Sequence, residues 1–500
     1  MIKGWGRRVE DILSGSGPDD LGSNPSDSVQ TFLERKFDFT VFLFVKKMCM
    51  RAIVRKSRIS GEIDAPPSKS YTHRAIAIAS LGVRTRSELI APLISEDTEA
   101  TINAAKSLGA VVELEGGGKK IVIEGVEGRP ATPDDVINAQ NSGTTLRFFT
   151  AISALCEDGA SVITGDASLR KRPNGPLLAS LNELGAEAFS TKGDGTAPIV
   201  IKGKLRGGDT DIDGSISSQF VSALLIACPL AEHESHIRAK NLISVPYTRI
   251  TVEILSKAGV EVEVEVEEGE GSGSYHNSNS NTTNTHTFHV PVGKSYDLRA
   301  FTIPGDFSSA SYLMAAAALT DSKLRVRNLL PSAQGDSRIV DIISDMGVDI
   351  RWYRSSGVVE VRGGELRGIS IDMSENPDLV PTVSVLAAVA EGNTEITGVP
   401  HLRYKETNRL NILAGELRKL GVKIKEQADG LLIEGIGAKG NLKSAEVDSH
   451  GDHRLAMALT LAGLCTPGET VIRDVECASV SYPTFFDDIR RLGADIDIMA

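Results

Sequence analysis

Six times along the chain an amphipathic helical pattern stops at a glycine and a two-residue alternation follows: LGAVVELE, LGAEAFST, AGVEVEVE, MGVDIRWY, LGVKIKEQ and LGADIDIM. The glycines are Gly109, Gly185, Gly259, Gly347, Gly421 and Gly493, spaced 76, 74, 88, 74 and 72 residues apart. Glycine is the usual C-terminal stop of a helix, and period-two alternation marks a strand with one buried face. Four copies continue through a turn into a second strand: KKIVIEG, APIVIKG, GVVEVRG and GLLIEGI. The third has TFHVPV in that place, and the sixth stops at the chain end. A beat this long does not suit a solenoid repeat. It predicts an α/β (α+β) fold of compact β-α-β-α-β-β units, three per globular domain and two domains.

A second series keeps the same beat. Ala/Leu-rich helices are predicted to start near Ser70, Gly143, Ser217, Ser308, Asp378 and Asp452, hydrophobic nearly all round and therefore buried. Their first turns are the opposite: SKS, NSGTT, SISSQ, DFSSAS, NPDLV and SHGDHR. N-capping accounts for one polar residue at each start, not for clusters of three to five. Free N–H groups and the positive dipole end make a helix N-terminus attractive to anions. Symmetric packing of the units would point several such ends into one cleft.

The rest of the composition narrows the class. With 41% hydrophobic and 24% charged residues, the chain can bury real cores. A net charge of −12 argues against general affinity for nucleic acid or membranes, while leaving room for a local cationic pocket. No apolar run approaches the length of a membrane span; FTVFLFV at 39–45 is too short. Cys49, Cys156, Cys228, Cys465 and Cys477 form no C-x-x-C pair and are expected as free thiols in a reducing cytoplasm. Residues 1–49 are polar and low in complexity, and are expected to be a dispensable, disordered extension. EEGEGSGSYHNSNSNTTNTHT (267–287) is expected to be a flexible surface insertion, with His276 and His286 as loop residues rather than metal ligands. From Met50, RAIVRKSRISGEID alternates like a strand and leads into PPSKS.

Nine stretches in order resemble the enolpyruvyl transferase family, and within it the EPSP synthase branch: PSKSYTHRA, NSGTTLRFF, GDASLRKRPNGPL, DGSISSQFVSALL, SVPYTRIT, GDFSSASY, PDLVPT, RYKETNRL and GDHRLAMAL. The resemblance spans nearly all of 50–500. It implies two lobes, 50–67 plus 305–500 and 68–304, joined by crossovers near Pro67 and near Pro304–Gly305. It also implies transfer of the enolpyruvyl group of phosphoenolpyruvate to the 5-hydroxyl of shikimate 3-phosphate, releasing phosphate. No metal or other cofactor, nucleic acid or membrane would take part, and the enzyme would be a cytoplasmic monomer.

Carried over residue by residue, the shikimate 3-phosphate side is Lys69, Ser70, Arg74, Ser217, Ser218, Ser244 and Lys405, with Asp378 at the ring hydroxyls. The phosphoenolpyruvate side is Lys69, Gly143, Arg172, Gln219, Arg409 and Arg454. Arginine suits it because paired N–H donors grip carboxylate or phosphate bidentately. Arg147, one turn into the helix that begins at Gly143, is either a further group on that side or a brace for its loop. Asp378 is either a helix N-cap or the base for the hydroxyl; Lys69 and Glu406 are candidates for proton delivery and return at the methylene carbon. The two substrates bring about −5 to −6 of charge. Lys69, Arg74, Arg172, Lys405, Arg409 and Arg454, less Asp378 and Glu406, leave the protein a share of about +4 to meet it.

Two positions depart from the family pattern. Val480 stands where many members carry a phosphoenolpyruvate-contacting lysine, and His401 where an asparagine is usual. His73 and His453, beside site residues, are expected to be structural or orienting. Two other readings stay open. The sister transferase acting on UDP-N-acetylglucosamine normally has S-G-A-K-N and a loop cysteine, and GDASLRKRPNG has none. The other is an inactive repeat scaffold, against which the intact set of acids and cations argues.

Overall fold

The computed structural model describes residues 50–83, 86–267, 285–437 and 440–500. The expected extension 1–49, Cys49, His276 and most of the expected insertion lie outside the described residues. Six four-stranded sheets account for the strands. In the unit from 137 to 202, Ile137–Asn138 runs parallel to Ser161–Thr164. That strand is antiparallel to Ile199–Lys202, which pairs antiparallel with Glu187–Ser190. A parallel pair needs a crossover, and here it is the buried helix Gly143–Ser153; the outer helix Gly175–Glu183 joins the second and third strands. All six sheets share this spatial order of first, second, fourth and third strand.

Three sheets borrow a strand from elsewhere in the chain. The sixth copy ends at Asp495–Met499, and its missing last strand is Arg51–Arg55, antiparallel to both Glu469–Arg473 and Asp495–Met499. Gly61–Asp64 lies parallel to Lys323–Arg327 as the first strand of the fourth sheet. Ala300–Thr302 does the same for Ser87–Ile90 in the first. The stretch after Met50 therefore forms two strands in two different sheets, where its alternation alone read as one.

The inner helices are Lys69–Ser80, Gly143–Ser153, Gln219–Ala227, Phe307–Leu319, Val380–Val389 and His453–Cys465. They are buried nearly all round. The buried apolar side chains form two clusters, one from 52–65 with 307–496 and one from 71–303. The two chain passages between them run side by side. Asp306 N–H donates to the Pro66 carbonyl at 2.7 Å, and Ser68 N–H to the Pro304 carbonyl at 2.8 Å.

His286 is a correction. Thr285–Val290 is a strand, and its alternation turns His286, Phe288 and Val290 inward, so His286 is a buried strand residue rather than a loop residue. Glu267, at the other end of the expected insertion, closes the strand Glu263–Glu267. Cys156, Cys228 and Cys477 are buried free thiols, and Cys465 is half-buried. No helix among the described residues is long and apolar enough to cross a membrane.

All six repeat glycines have φ between +87° and +114°, the left-handed region in which a Cβ is strained. Gly259 isolates that strain, because an added Cβ there would meet nothing within 4 Å. Gly259→Ala is therefore expected to destabilise the fold by about 1–3 kcal/mol through backbone conformation alone, read as a lower midpoint in urea with an unchanged slope.

Candidate active site

The N-terminal ends of the inner helices meet at a single cleft between the two cores. Three ends consume their own caps: Ser142 accepts from Thr145 N–H, Asp306 from Ser308 and Ser309 N–H, and Asp452 from Arg454 N–H. The ends at Lys69, Gln219 and Val380 have no capping side chain of their own. Lys69, Ser70, Arg74, Gly143, Arg172, Ser217, Ser218, Gln219, Ser244, Asp378, Lys405, Glu406 and Arg454 all line the cleft. Arg409 lies beneath them, 1% exposed.

Arg409 ties the acids together. It grips Asp452 through Nε at 2.9 Å and Nη2 at 3.2 Å, meets Glu406 at 2.5 Å, and reaches Asp378 at 3.4 Å. Arg454 Nη2 donates to Asp378 Oδ2 at 2.5 Å. Burial alone would push Asp378 up, but Arg454, Lys405 and Arg409 outweigh it and hold the carboxyl well below its ordinary range. Glu406 behaves likewise: burial opposes ionisation, and Arg409 first, then Arg172 and Lys69, override it. Asp378 sits in the short turn Pro377–Leu379 and makes no capping bond. Its side chain is spent on arginines, which removes the N-cap reading.

The cations divide into paired and unpaired. Lys69 Nζ is 2.9 Å from Asp97. Lys405 has no ion-pair partner among the described residues, and burial lowers its ammonium. Arg74 is buried without a carboxylate, held by Thr251 at 2.7 Å and by the carbonyls of Tyr247 and Ser70 at 3.0 Å each. Burial draws it down to about 10. Such a guanidinium is a standing site for an anion. Arg147 does more than brace a loop. It donates to Gln219 Oε1 at 2.6 Å and Ser217 Oγ at 3.1 Å, orienting two lining side chains. Burial and the charge of Arg172 pull it down to about 9. A Cβ at Gly143 would stand 3.2 Å from Arg172 Nη1, so the glycine keeps that guanidinium in place.

Several groups were invisible in sequence. Tyr247 lines the cleft, with its hydroxyl 3.0 Å from Asp336 and 3.1 Å from Asp378. Asp97, Asp306 and Asp452 join the local charges. With Arg147 as a further cation, they bring the site closer to balance than the expected share of about +4. Tyr247 lies in SVPYTRIT, one of the nine stretches that resemble the family, which gave no role to that residue, and the segment QGDSR around Asp336 carried no signal of its own. His73 Nδ1 meets Thr101 Oγ1 at 2.6 Å. The Nε2 atoms of His73 and His453 and both ring nitrogens of His401 are buried without partners among the described residues. Burial first, then nearby cations, hold all three neutral; His401 is drawn down to about 3. Val480 is buried, and its neighbour Ser481 lines the cleft.

Contacts across the cleft bring the two cores together: Ser168 Oγ donates to the Glu406 carbonyl at 3.1 Å, and Ser244 N–H to the Ser374 carbonyl at 3.2 Å. The family model for EPSP synthase (3-phosphoshikimate 1-carboxyvinyltransferase) matches residues 53–489. The chain belongs to the EPSP synthase family. A 3-phosphoshikimate 1-carboxyvinyltransferase of Methanococcoides burtonii is 51% identical over 89% of this chain and 99% of its own length. One from Methanothrix thermoacetophila is 52% identical over 89% and 98%. Among solved structures, EPSP synthase from Acinetobacter baumannii superposes with a TM-score of 0.72 at 27% identity, covering 91% of this chain and all of that one. An enolpyruvyl transferase from Streptomyces tendae shares the fold with a TM-score of 0.68 at 18% identity, covering 90% and 99%.

Arg409→Met would leave Asp378, Glu406 and Asp452 buried around an apolar side chain. The expected loss is about 3–5 kcal/mol at neutral pH. Asp378 and Glu406 have lowered folded-state values, so the stability they contribute is present above about pH 4 and drains as pH falls through those values. The gap between the variant and the parent should therefore narrow on acidification, as measured by urea unfolding at neutral pH and at about pH 4.

Proposed function

We propose that this cleft transfers the enolpyruvyl group of phosphoenolpyruvate to the 5-hydroxyl of shikimate 3-phosphate, giving 5-enolpyruvylshikimate 3-phosphate and phosphate. The observation that carries the reading is a pair of ionised carboxylates, Asp378 and Glu406, bound to one buried arginine at the floor of a cationic cleft. Family membership and the named relatives point to the same reaction.

Each demand of the chemistry has a group to meet it. Arg74, Lys405 and the hydroxyls of Ser70, Ser217, Ser218 and Ser244 take the phosphate monoester beside the starts of the helices Lys69–Ser80 and Gln219–Ala227. Arg172, Arg454, Gln219 and the Gly143 backbone take phosphoenolpyruvate. Arg409 contributes through the carboxylates it holds as much as through its own charge. Asp378, kept ionised, accepts the 5-hydroxyl proton as oxygen attacks C2. Lys69, an ammonium on Asp97, delivers a proton to the methylene carbon. Glu406 then takes a methyl proton as the ketal expels phosphate. The protons on Asp378 and Glu406 return to Lys69 and the departing phosphate. Positioned proton transfer is worth about 10²–10⁴-fold, and holding two anions in line adds to it.

We also propose that the two cores are lobes hinged at the paired passages by Pro66–Ser68 and Pro304–Asp306. The free thiols of Cys156, Cys228, Cys465 and Cys477 fit a reducing cytoplasm, where we propose that the enzyme works as a monomer. Phosphate release with shikimate 3-phosphate and phosphoenolpyruvate tests the assignment. Turnover with UDP-N-acetylglucosamine alone would favour the sister activity, and silence with both acceptors would favour a scaffold. Lys69→Met should lower kcat by about 10²–10⁴-fold in a protein that still melts cooperatively, though at a lower midpoint because Asp97 loses its partner; near-normal kcat would remove Lys69 from its role.

A further inference from the structure

Asp336 is a buried acid that the reaction as written does not use. It sits in the turn Gly335–Arg338, 3% exposed, with no ion-pair partner among the described residues. Its Oδ2 contacts the Ser308 hydroxyl and lies 3.0 Å from the Tyr247 hydroxyl. The same Tyr247 oxygen is 3.1 Å from Asp378 Oδ2. Its Oδ1 is buried and has no hydrogen-bond partner among the described residues.

Counting hydrogens decides the protonation state. Three oxygen–oxygen contacts (Ser308 to Asp336, Tyr247 to Asp336, Tyr247 to Asp378) are served by two hydroxyl hydrogens. If both carboxylates were ionised, one contact would set two lone pairs face to face, or one hydrogen would be split between two anions in a low-dielectric site. A third proton resolves the arrangement. Asp378 does not take it, because Arg454 and Arg409 already bind that carboxylate. Asp336 faces no such cation at bonding distance. An unpartnered Oδ1 is also far cheaper as the carbonyl of a neutral acid than as half of an anion.

We propose that Asp336 carries a proton in the resting cleft and, by donating it to Tyr247, turns the Tyr247 hydroxyl onto Asp378, making Asp336 a positioning residue for the reaction base. The chain runs Asp336 O–H to Tyr247 O–H to the Asp378 carboxylate, and it fixes Asp378 Oδ2 so that Oδ1 is the oxygen left to receive a proton. The groups facing Asp336 are Asp378, Asp306, Arg454 and Tyr247. Burial first, and then the Asp378 charge, push Asp336 up to about 6, in the same direction. Incoming substrate anions would hold the proton more firmly still.

The role of Tyr247 toward Asp378 rests on the proposed reaction; the proton on Asp336 does not. Infrared difference spectra of the substrate-free protein against Asp336→Asn, taken below pH 6, should show the carbonyl stretch of a neutral carboxylic acid that the variant lacks, and the band should fade above pH 6. No such band, or the same band in the variant, overturns the proposal. In turnover, Asp336→Ala should lower kcat by about 10²-fold. Asp336→Asn, whose NH2 in the place of Oδ2 can donate to Tyr247 while the Ser308 hydroxyl turns to accept from it, should recover most of that loss. An asparagine variant as impaired as the alanine one overturns the positioning role. If Asp336→Asn fails to fold, Tyr247→Phe decides: its carboxylic-acid band should persist at a shifted frequency, and an unshifted band sinks the chain of donors. A parent protein silent in phosphate release would refute the proposed reaction while leaving the infrared result to judge Asp336.

Discussion

Everything at the cleft hangs on the buried guanidinium of Arg409. Taking a charge out of water costs several kcal/mol unless hydrogen-bonded opposite charge meets it, and Arg409 is met by three carboxylates at once. Asp452 caps the helix that carries Arg454, Glu406 lies on the loop before the Arg409 helix, and Asp378 opens a third. One side chain thus fixes the relative placement of three helix starts. It is the chief charge keeping Glu406 ionised, and it joins Arg454 and Lys405 in doing the same for Asp378.

The chain path has a similar economy. Arg51–Arg55 and Gly61–Asp64 complete two sheets of the core formed mainly by 307–496, before the chain passes to the other core at Pro66–Ser68. Ala300–Thr302 completes a sheet of the second core just before the return passage. Each core is therefore closed by strands remote in sequence, and the only covalent links between cores are two adjacent passages. Such a connection leaves the facing helix ends free to supply ligand groups rather than chain.

Much of this was readable from residues alone. The positive φ of all six repeat glycines follows from their place at helix ends, and buried inner helices follow from all-round hydrophobicity. Polar first turns that exceed any capping need announced a shared opening. Less was readable wherever partners lie far apart in sequence. Alternation over 51–64 does not say that a turn divides it between two sheets. TFHV was legible as a strand, but its first residues, Thr285 and His286, looked like the end of an insertion until they were paired with Lys240 and Ala239. Asp336 and Tyr247 are 89 residues apart, and neither is remarkable in its own segment.

The amino-acid order by itself determined the unit, its sixfold repetition and the residue types at each helix tip, because periodicity and capping are local and act within a few residues. Only the tertiary structure decided which carboxylate meets which arginine, that the last unit is closed by the strand after Met50, and that two acids share one tyrosine hydroxyl. Those outcomes depend on distances between segments tens to hundreds of residues apart. Burial sets their energies, and no stretch of sequence carries burial until the cores have formed.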